Sequence, residues 1–147
     1  MREYLFRGKR LDNGEWVYGG YCKHDTVKVC FTTDDPKTKH MIIKDGFCDW
    51  GFEPTLQGYE VDPETVGQYT GLTDKNGVKI FEGDIIRHKT YLEERIYRIL
   101  YDEGAFCYFY DRNTYPLTDY EFGLYCENVE VIGNIHDNPE LLQEGGE

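Results

Sequence analysis

With 147 residues, 39% of them hydrophobic, the chain can bury the core of one ordinary domain or of two small ones. Its net charge of −12 favours solubility and opposes close approach to a phosphate backbone. No apolar run approaches the roughly 20 residues of a bilayer-spanning helix, and the first residues do not resemble a signal peptide. We therefore expect a cytoplasmic protein without a membrane partner.

Aromatic residues and cysteines indicate the fold class and the compartment. The chain has 13 Tyr and 8 Phe against 2 Met, and this excess of aromatic side chains favours strands over helices. The five Cys residues are odd in number and form no C-x-x-C pair, which is typical of reduced thiols in a cytosol. The composition predicts a mainly β protein.

The first 60 residues predict an N-terminal β lobe. Asn13-Gly14 tolerates positive φ angles between two apolar runs, so it predicts an opening hairpin. Residues 27–31 alternate apolar and polar side chains as a half-buried strand does, and residues 41–43 predict the returning strand. Residues 46–58 have no clear period, which indicates a loop or short edge strands.

The stretch 60–86 is dense in turn residues. Asp62 precedes Pro63 and can cap a short helical turn near 62–66. Asn76-Gly77 predicts a reversal of the chain. Gly83-Asp84 predicts a second tight turn, in which the glycine supplies a positive φ and the aspartate bonds the turn backbone.

The alternation of apolar residues after position 60 predicts five short strands. They lie at residues 66–70, 84–89, 94–101, 105–110 and 128–135. Residues 111–119 predict a loop, Asn138-Pro139 predicts a short helical turn near 138–142, and the polar end 141–147 predicts a flexible acidic tail. This pattern fits a small SH3-like barrel, although other small β folds fit it too.

Two motifs in this region resemble a known family. Thr-Val-Gly-Gln-Tyr-Thr-Gly-Leu-Thr-Asp-Lys-Asn-Gly at 65–77 and Ile-Phe-Glu-Gly-Asp-Ile-Ile at 80–86 closely resemble the YopX family of phage and prophage proteins. Residues 16–19 and 131–135 resemble the opening and the close of the same family. The resemblance implies a mainly β protein whose C-terminal part is an SH3-type barrel, and it implies no established activity. Together with the strand pattern it predicts an N-terminal β lobe at 1–60 and an SH3-like barrel at 61–140. The motif residues that we interpret as structural are Gly67, Gly71, Asn76, Gly77, Glu82, Gly83 and Asp84.

The sequence contains no convincing catalytic or metal-binding motif. The chain has no serine, and its four histidines lie in no recognisable nucleophile signature. Five side chains of the metal-binding types lie in the first half, but without the paired spacing of zinc ligands, so we interpret them as packed thiols and surface imidazoles. They are Cys22, His24, Cys30, His40 and Cys48. We predict a non-enzymatic protein with no cofactor and no metal.

Charge is distributed unevenly along the chain. Residues 1–60 have 9 Lys and Arg against 10 Asp and Glu, whereas residues 61–147 have 7 against 18. An acidic surface of this kind favours solubility and basic partners.

Binding of a protein partner is the use that fits these residues best. Tyrosine is enriched in interfaces, and five tyrosines of the presumed barrel form a candidate partner surface. They are Tyr108, Tyr110, Tyr115, Tyr120 and Tyr125. The sequence predicts a phage or prophage binding or assembly module in a host cytoplasm, with self-association through exposed strand edges left open.

The alternative is a nucleic-acid-associated protein. It would bind through the lysines of the N-terminal lobe, or its acidic barrel would mimic nucleic acid and act on a host protein. The lysines in question are Lys23, Lys28, Lys37, Lys39 and Lys44.

Overall fold

The structure is a computed structural model, and it describes residues 1–27, 37–46, 55–117 and 128–142. The described chain is mainly β, as predicted, and its strands pair in two antiparallel sheets. The strands are β1 (Phe6–Lys9), β2 (Trp16–Asp25), β3 (Thr38–Asp45), β4 (Leu56–Glu60), β5 (Gly67–Thr73), β6 (Lys79–Phe81), β7 (Asp84–Lys89), β8 (Glu94–Asp102), β9 (Ala105–Tyr110), β10 (Asn113–Pro116) and β11 (Val129–Asn134).

The sheet orders are β4-β3-β2-β1-β5-β6 and β10-β9-β8-β7-β11. The two short helical turns predicted near 62–66 and 138–142 are confirmed as 3-10 turns at Pro63–Thr65 and Pro139–Leu142. Asp62 caps the first of them, because its Oδ1 accepts a hydrogen bond from the Glu64 N–H at 3.0 Å. Closure of either sheet into an SH3-like barrel stays a prediction.

The chain divides into two compact units between Gln68 and Tyr69. The N-terminal unit is Tyr4–Gln68, and the C-terminal unit is Met1–Glu3 with Tyr69–Glu147. The sequence placed a boundary near residue 60, eight residues before this division. Strand β5 therefore begins in one unit and ends in the other.

The N-terminal unit is built on the predicted opening hairpin, which is confirmed by the antiparallel pairing of β1 and β2. Gly14 has a φ of +72°, the left-handed conformation that such a turn requires. Three buried aliphatic residues, Val17, Ile42 and Val61, form the core of this unit. Strand β2 ends at Asp25, and the strand predicted at 27–31 lies almost entirely outside the described residues.

Gly19 is required by a close backbone approach inside this unit. A Cβ atom at Gly19 would lie 2.1 Å from the carbonyl oxygen of Ile43 in β3, so no other residue fits without displacing a strand.

The C-terminal unit contains the five-stranded sheet, and the strands predicted at 84–89 and 105–110 match β7 and β9 in both bounds. The loop predicted at 111–119 is partly wrong, because β10 forms within it and pairs with β9. Asp111 and Arg112 both adopt positive φ angles, +48° and +65°, and this allows a two-residue reversal without glycine. Strand β6 was also not predicted, since three residues are too few to show a period.

One hydrophobic core fills the C-terminal unit. Its buried residues come from β6, β7, β8, β9 and β11 and from the residue after β10. They are Ile80, Ile86, Tyr97, Ile99, Tyr108, Leu117 and Val129. The acidic tail predicted at 141–147 lies outside the described residues from position 143 onward.

Candidate binding surface

Three of the five tyrosines predicted as a partner surface lie within the described residues, and each of the three is buried or half-buried. Tyr108 is only 6% exposed and belongs to the core, where its ring stacks on Tyr115 at 5.2 Å between centroids. Tyr110 and Tyr115 are half-buried and pack against the same core. Tyr120 and Tyr125 lie outside the described residues. Because side chains alternate across a strand, the exposed aromatic residue of β9 is instead Phe109.

The glycines and aspartates of the family-like motif shape turns. Gly71, Gly77 and Gly83 have φ angles of +92°, +78° and +85°. The carboxylate of Asp84 accepts a hydrogen bond from the Phe81 N–H at 2.7 Å, across the Glu82-Gly83 turn. Gly67 is buried and pairs with Arg7 in β1. These residues therefore shape or hydrogen-bond the backbone of the turns and of β5.

Asp74 was not singled out by the sequence, and its carboxylate accepts three hydrogen bonds from backbone N–H groups. Its Oδ1 accepts hydrogen bonds from the N–H groups of Asn76 at 2.8 Å and Val78 at 2.9 Å. Its Oδ2 accepts a third from the N–H of Val131 in β11 at 3.1 Å. A buried carboxylate with three backbone donors ties the Asn76-Gly77 turn to the outermost strand of the sheet.

The described residues contain no group of three or more His, Cys, Asp or Glu side chains placed to hold a metal ion. Cys30 and Cys48 lie outside those residues. Burial raises the pKa of the Cys107 thiol, and the nearby charge of Asp102 acts in the same direction, so this cysteine is a poor nucleophile. Along the described segments no helix is long and apolar enough to cross a membrane.

Strand β4 has an edge with backbone groups directed away from the sheet. Val61 donates to the carbonyl of His40 at 2.8 Å, and Gly46 donates to the carbonyl of Thr55 at 2.7 Å. In an antiparallel pair, hydrogen-bonded and non-hydrogen-bonded positions alternate, so Leu56 and Gly58 direct their N–H and C=O groups outward from β3. No described strand lies beyond β4 in its sheet.

A depression of about 340 Å³ lies along β4. Its lining residues are Leu11, Asp12, Gly58, Tyr59 and Glu60. The Leu11 N–H donates to the Glu60 carbonyl at 3.0 Å, so the outward carbonyl at that end of β4 already has a hydrogen bond. The outward backbone groups of Leu56 and Gly58 are the accessible ones. Leu11 is 60% exposed and Leu56 is 73% exposed, so the accessible edge has apolar side chains around it.

Two cations lie against the ring of Tyr59 in β4. The guanidinium carbon of Arg10 is 4.4 Å from the ring centroid, and the Lys44 Nζ is 5.5 Å from it. Arg10 also donates from Nε to Asp12 Oδ1 at 2.9 Å, and this hydrogen bond lowers the pKa of Asp12 and raises that of Arg10. The tyrosine ring is thus held in place at the end of the depression.

The sequence allowed short edge strands within residues 46–58, but it did not single out this edge as a binding site, because that stretch shows no clear period. The signal available was the composition of β4, Leu-Gln-Gly-Tyr-Glu, which contains neither proline nor lysine, the residues that usually protect an edge strand. The sequence around Leu11 did not indicate its place beside β4, because Leu11 contacts Glu60 only in the folded chain.

Comparisons with known proteins identify the family. The family model described as YopX protein matches residues 5–143. A solved structure, the crystal structure of protein EF1440 from Enterococcus faecalis, is similar to this chain with a TM-score of 0.50 and 28% sequence identity. That similarity covers 97% of this chain and 99% of the other. No curated protein matches the sequence. The match to the family model spans nearly the whole chain, and the chain belongs to the YopX protein family.

Proposed function

We propose that this protein is a non-enzymatic binding module that takes up an extended segment of a protein partner as a new strand beside β4. The observation that carries the proposal is the outward direction of the backbone groups of Leu56 and Gly58. Backbone hydrogen bonds supply the affinity in such strand addition, and neighbouring side chains supply the selectivity.

The side chains around β4 support the same use. Leu56 and Leu11 expose apolar surface that a partner strand would cover. Gly58 has no side chain, so a second backbone can approach it closely. The depression beside Gly58 and Tyr59 provides space for one side chain of the added segment.

Blocking the edge tests this proposal. Gly58→Pro removes the outward N–H but no hydrogen bond to β3, because position 58 is a non-hydrogen-bonded position of that pair. Leu56→Lys adds an edge-protecting charge. Tyr101→Lys is the matched control, since Tyr101 is 52% exposed and belongs to the other unit.

The measurement combines affinity capture from a bacterial host lysate with hydrogen exchange. We expect the captured partner to bind the wild type and Tyr101→Lys, to be lost from Gly58→Pro and Leu56→Lys, and to protect the amides of Leu56 and Gly58 from exchange. A partner that Gly58→Pro retains in full contradicts strand addition at β4.

A second copy of the chain is an alternative occupant of the edge. In that case sedimentation of the wild type shows association that grows with concentration, and Gly58→Pro sediments as a monomer. A wild type that stays monomeric at high concentration removes this alternative.

Nucleic-acid binding through the N-terminal unit is the second candidate function. Paired cations on aromatic rings favour it: Arg10 and Lys44 on Tyr59, and Arg7 and Lys9 on Trp16 at 4.8 Å and 5.6 Å. Affinity for oligothymidylate that falls steeply with added salt, and that Lys44→Glu weakens, would support it. No binding at low salt would remove it.

The acidic C-terminal unit suggests a different route to the same class of function, mimicry of nucleic acid. Joint neutralisation of Glu93, Glu94, Asp102 and Glu103 would then release a basic host protein that the wild type captures.

We place this activity in the cytoplasm of a bacterial host, as that of a phage or prophage accessory protein. The similarity to phage and prophage proteins in the motifs at 65–77 and 80–86 supports this origin. The five cysteines, odd in number and without C-x-x-C spacing, support a reducing compartment.

A further inference from the structure

The five-stranded sheet of the C-terminal unit has a second surface, opposite its core. Phe109 of β9 pairs directly with Arg98 of β8 and Thr114 of β10, and residues paired in this way share one face of a sheet. Leu100 and Pro116 lie on the same face, because both pair with Cys107, two residues before Phe109. We call the part of this surface around Arg98 the outer face, and its residues are Ile96, Arg98, Leu100, Phe109, Thr114 and Pro116. The same side of the sheet also contains the buried Ile85 and Cys107 and the Arg87–Glu130 ion pair.

Apolar side chains flank Arg98 on the outer face. Phe109 is 42% exposed although it lies within a paired strand, and Pro116 is exposed as well. Leu100 and Ile96 are half-buried at its sides. Arg98 is exposed between them and lies opposite the phenyl ring. The arrangement is that of an interface centre, where an aromatic residue and an arginine contribute most of the binding energy.

Arg98 has no ion-pair partner within the described part of the chain. Two other arginines of the same unit do, since Arg87 donates to Glu130 at 2.8 Å and Arg95 pairs with Glu93. This contrast stands out because residues 61–147 contain 18 Asp and Glu against 7 Lys and Arg. No carboxylate of the described residues therefore occupies the Arg98 guanidinium.

We propose that the outer face binds a short apolar segment of a protein partner that contains one Asp or Glu. The carboxylate accepts two parallel hydrogen bonds from Arg98, the geometry that a guanidinium offers and an ammonium does not. An apolar side chain next to it covers Phe109 and the flanking Leu100. Excess negative charge around the site repels polyanions, so the segment has a single carboxylate and the partner is not nucleic acid.

A defined peptide tests this proposal on the full chain. The probe is acetyl-Gly-Trp-Glu-Trp-Gly-amide, and its matched control has glutamine in place of glutamate. We expect saturable changes in the NMR amide shifts of Arg98, Leu100, Phe109 and Thr114, with at least fivefold weaker binding of the glutamine peptide. Equal binding of the two peptides, or shifts confined to other residues such as those of β4, would overturn the proposal.

Two charge variants distinguish a direct contact of the peptide with Arg98 from an effect of the protein's net charge. Arg98→Glu and Arg112→Glu change the net charge equally, and Arg112 is exposed in the turn before β10, outside the outer face. We expect Arg98→Glu to abolish peptide binding, Arg98→Lys to weaken it, and Arg112→Glu to retain it. An equal loss in both glutamate variants would show a field effect and overturn the site.

Two further measurements keep the test decisive. If Arg98→Glu does not fold, Arg98→Gln replaces it, and retained peptide affinity in that variant counts against the proposal. Oligothymidylate is the second probe, and its binding at Phe109 with a steep salt dependence would assign the face to nucleic acid and overturn the protein segment.

Discussion

The outermost strands of the five-stranded sheet in the C-terminal unit are protected against pairing, whereas the edge of β4 in the N-terminal unit is accessible. The Asp74 carboxylate accepts from Val131, and the Lys75 N–H donates to the Val129 carbonyl, so two outward groups of β11 are satisfied. At the other side, β10 has four residues and ends in Pro116. Among the described residues, none protects β4 in this way at Leu56 and Gly58. Two sheets of one chain therefore differ in what their edges can do.

Protected and accessible strand edges have different consequences for stability and for binding. An edge strand that is short, proline-ended or covered by a loop cannot pair with another chain, which protects a protein against aggregation. An accessible edge is a liability unless it is used. We therefore expect changes at the protected edge to affect stability, and changes at the accessible edge to affect binding while stability is retained.

Asp74→Ala is expected to give the largest loss of stability, about 3 kcal/mol, because three backbone donors lose a charged acceptor. The measurement is denaturant unfolding of the C-terminal unit, with Asp102→Ala at an exposed position as the control. If both variants unfold at the same denaturant concentration, the protection of β11 does not depend on Asp74.

Gly19→Ala is expected to cost about 2 kcal/mol in the N-terminal unit, because the new methyl group would lie 2.1 Å from the Ile43 carbonyl oxygen. Gly20→Ala is a closely matched control, since its Cβ would lie 3.9 Å from the same oxygen. The free energies of unfolding of the two neighbours should therefore differ clearly. Equal values would show that β2 and β3 separate easily at this point.

Arg112→Gly is expected to stabilise the C-terminal unit by up to about 1 kcal/mol. Arg112 has a φ of +65°, which glycine adopts without steric cost, although glycine also increases the entropy of the unfolded chain. Gly104→Ala in the neighbouring turn is the mirror experiment, because its φ of +84° is unfavourable for alanine and should lower the melting temperature. A destabilised Arg112→Gly would show that the arginine side chain itself holds the turn.

Glu130→Gln is expected to have the smallest effect, and the effect depends on pH. Hydrogen bonds from Arg87, and then from Lys75, lower the pKa of Glu130 in the folded state. A lowered folded pKa contributes stability above the unfolded value, and this contribution is lost as the pH falls through the folded value. The stability difference between wild type and variant should therefore be present at neutral pH and vanish in acid. A difference independent of pH would rule out the ion pairs as its cause.

Local chemistry explains which parts of the fold the sequence could predict. The turns at Asn13-Gly14 and Asn76-Gly77 were predictable because the positive φ that each turn requires is supplied by its own glycine, which is a local property. The strand at 84–89 was predictable because the Gly83-Asp84 turn precedes it and the β-branched Ile85 and Ile86 begin it. Strand β10 was not, because a four-residue strand takes its conformation from its pairing with β9 and not from its own composition.

The sequence by itself determined the family, the mainly β class and the turns, since each depends on residues that are neighbours along the chain. Tertiary structure alone decided which face of β9 is buried. Both faces of that strand have large aromatic side chains, so pattern could not choose between Tyr108 and Phe109, and packing against Ile86 and Ile99 placed the tyrosine inside. Tertiary structure also made β4 an edge strand, because a strand lies at the edge of a sheet only as a result of how all the strands of that sheet pair.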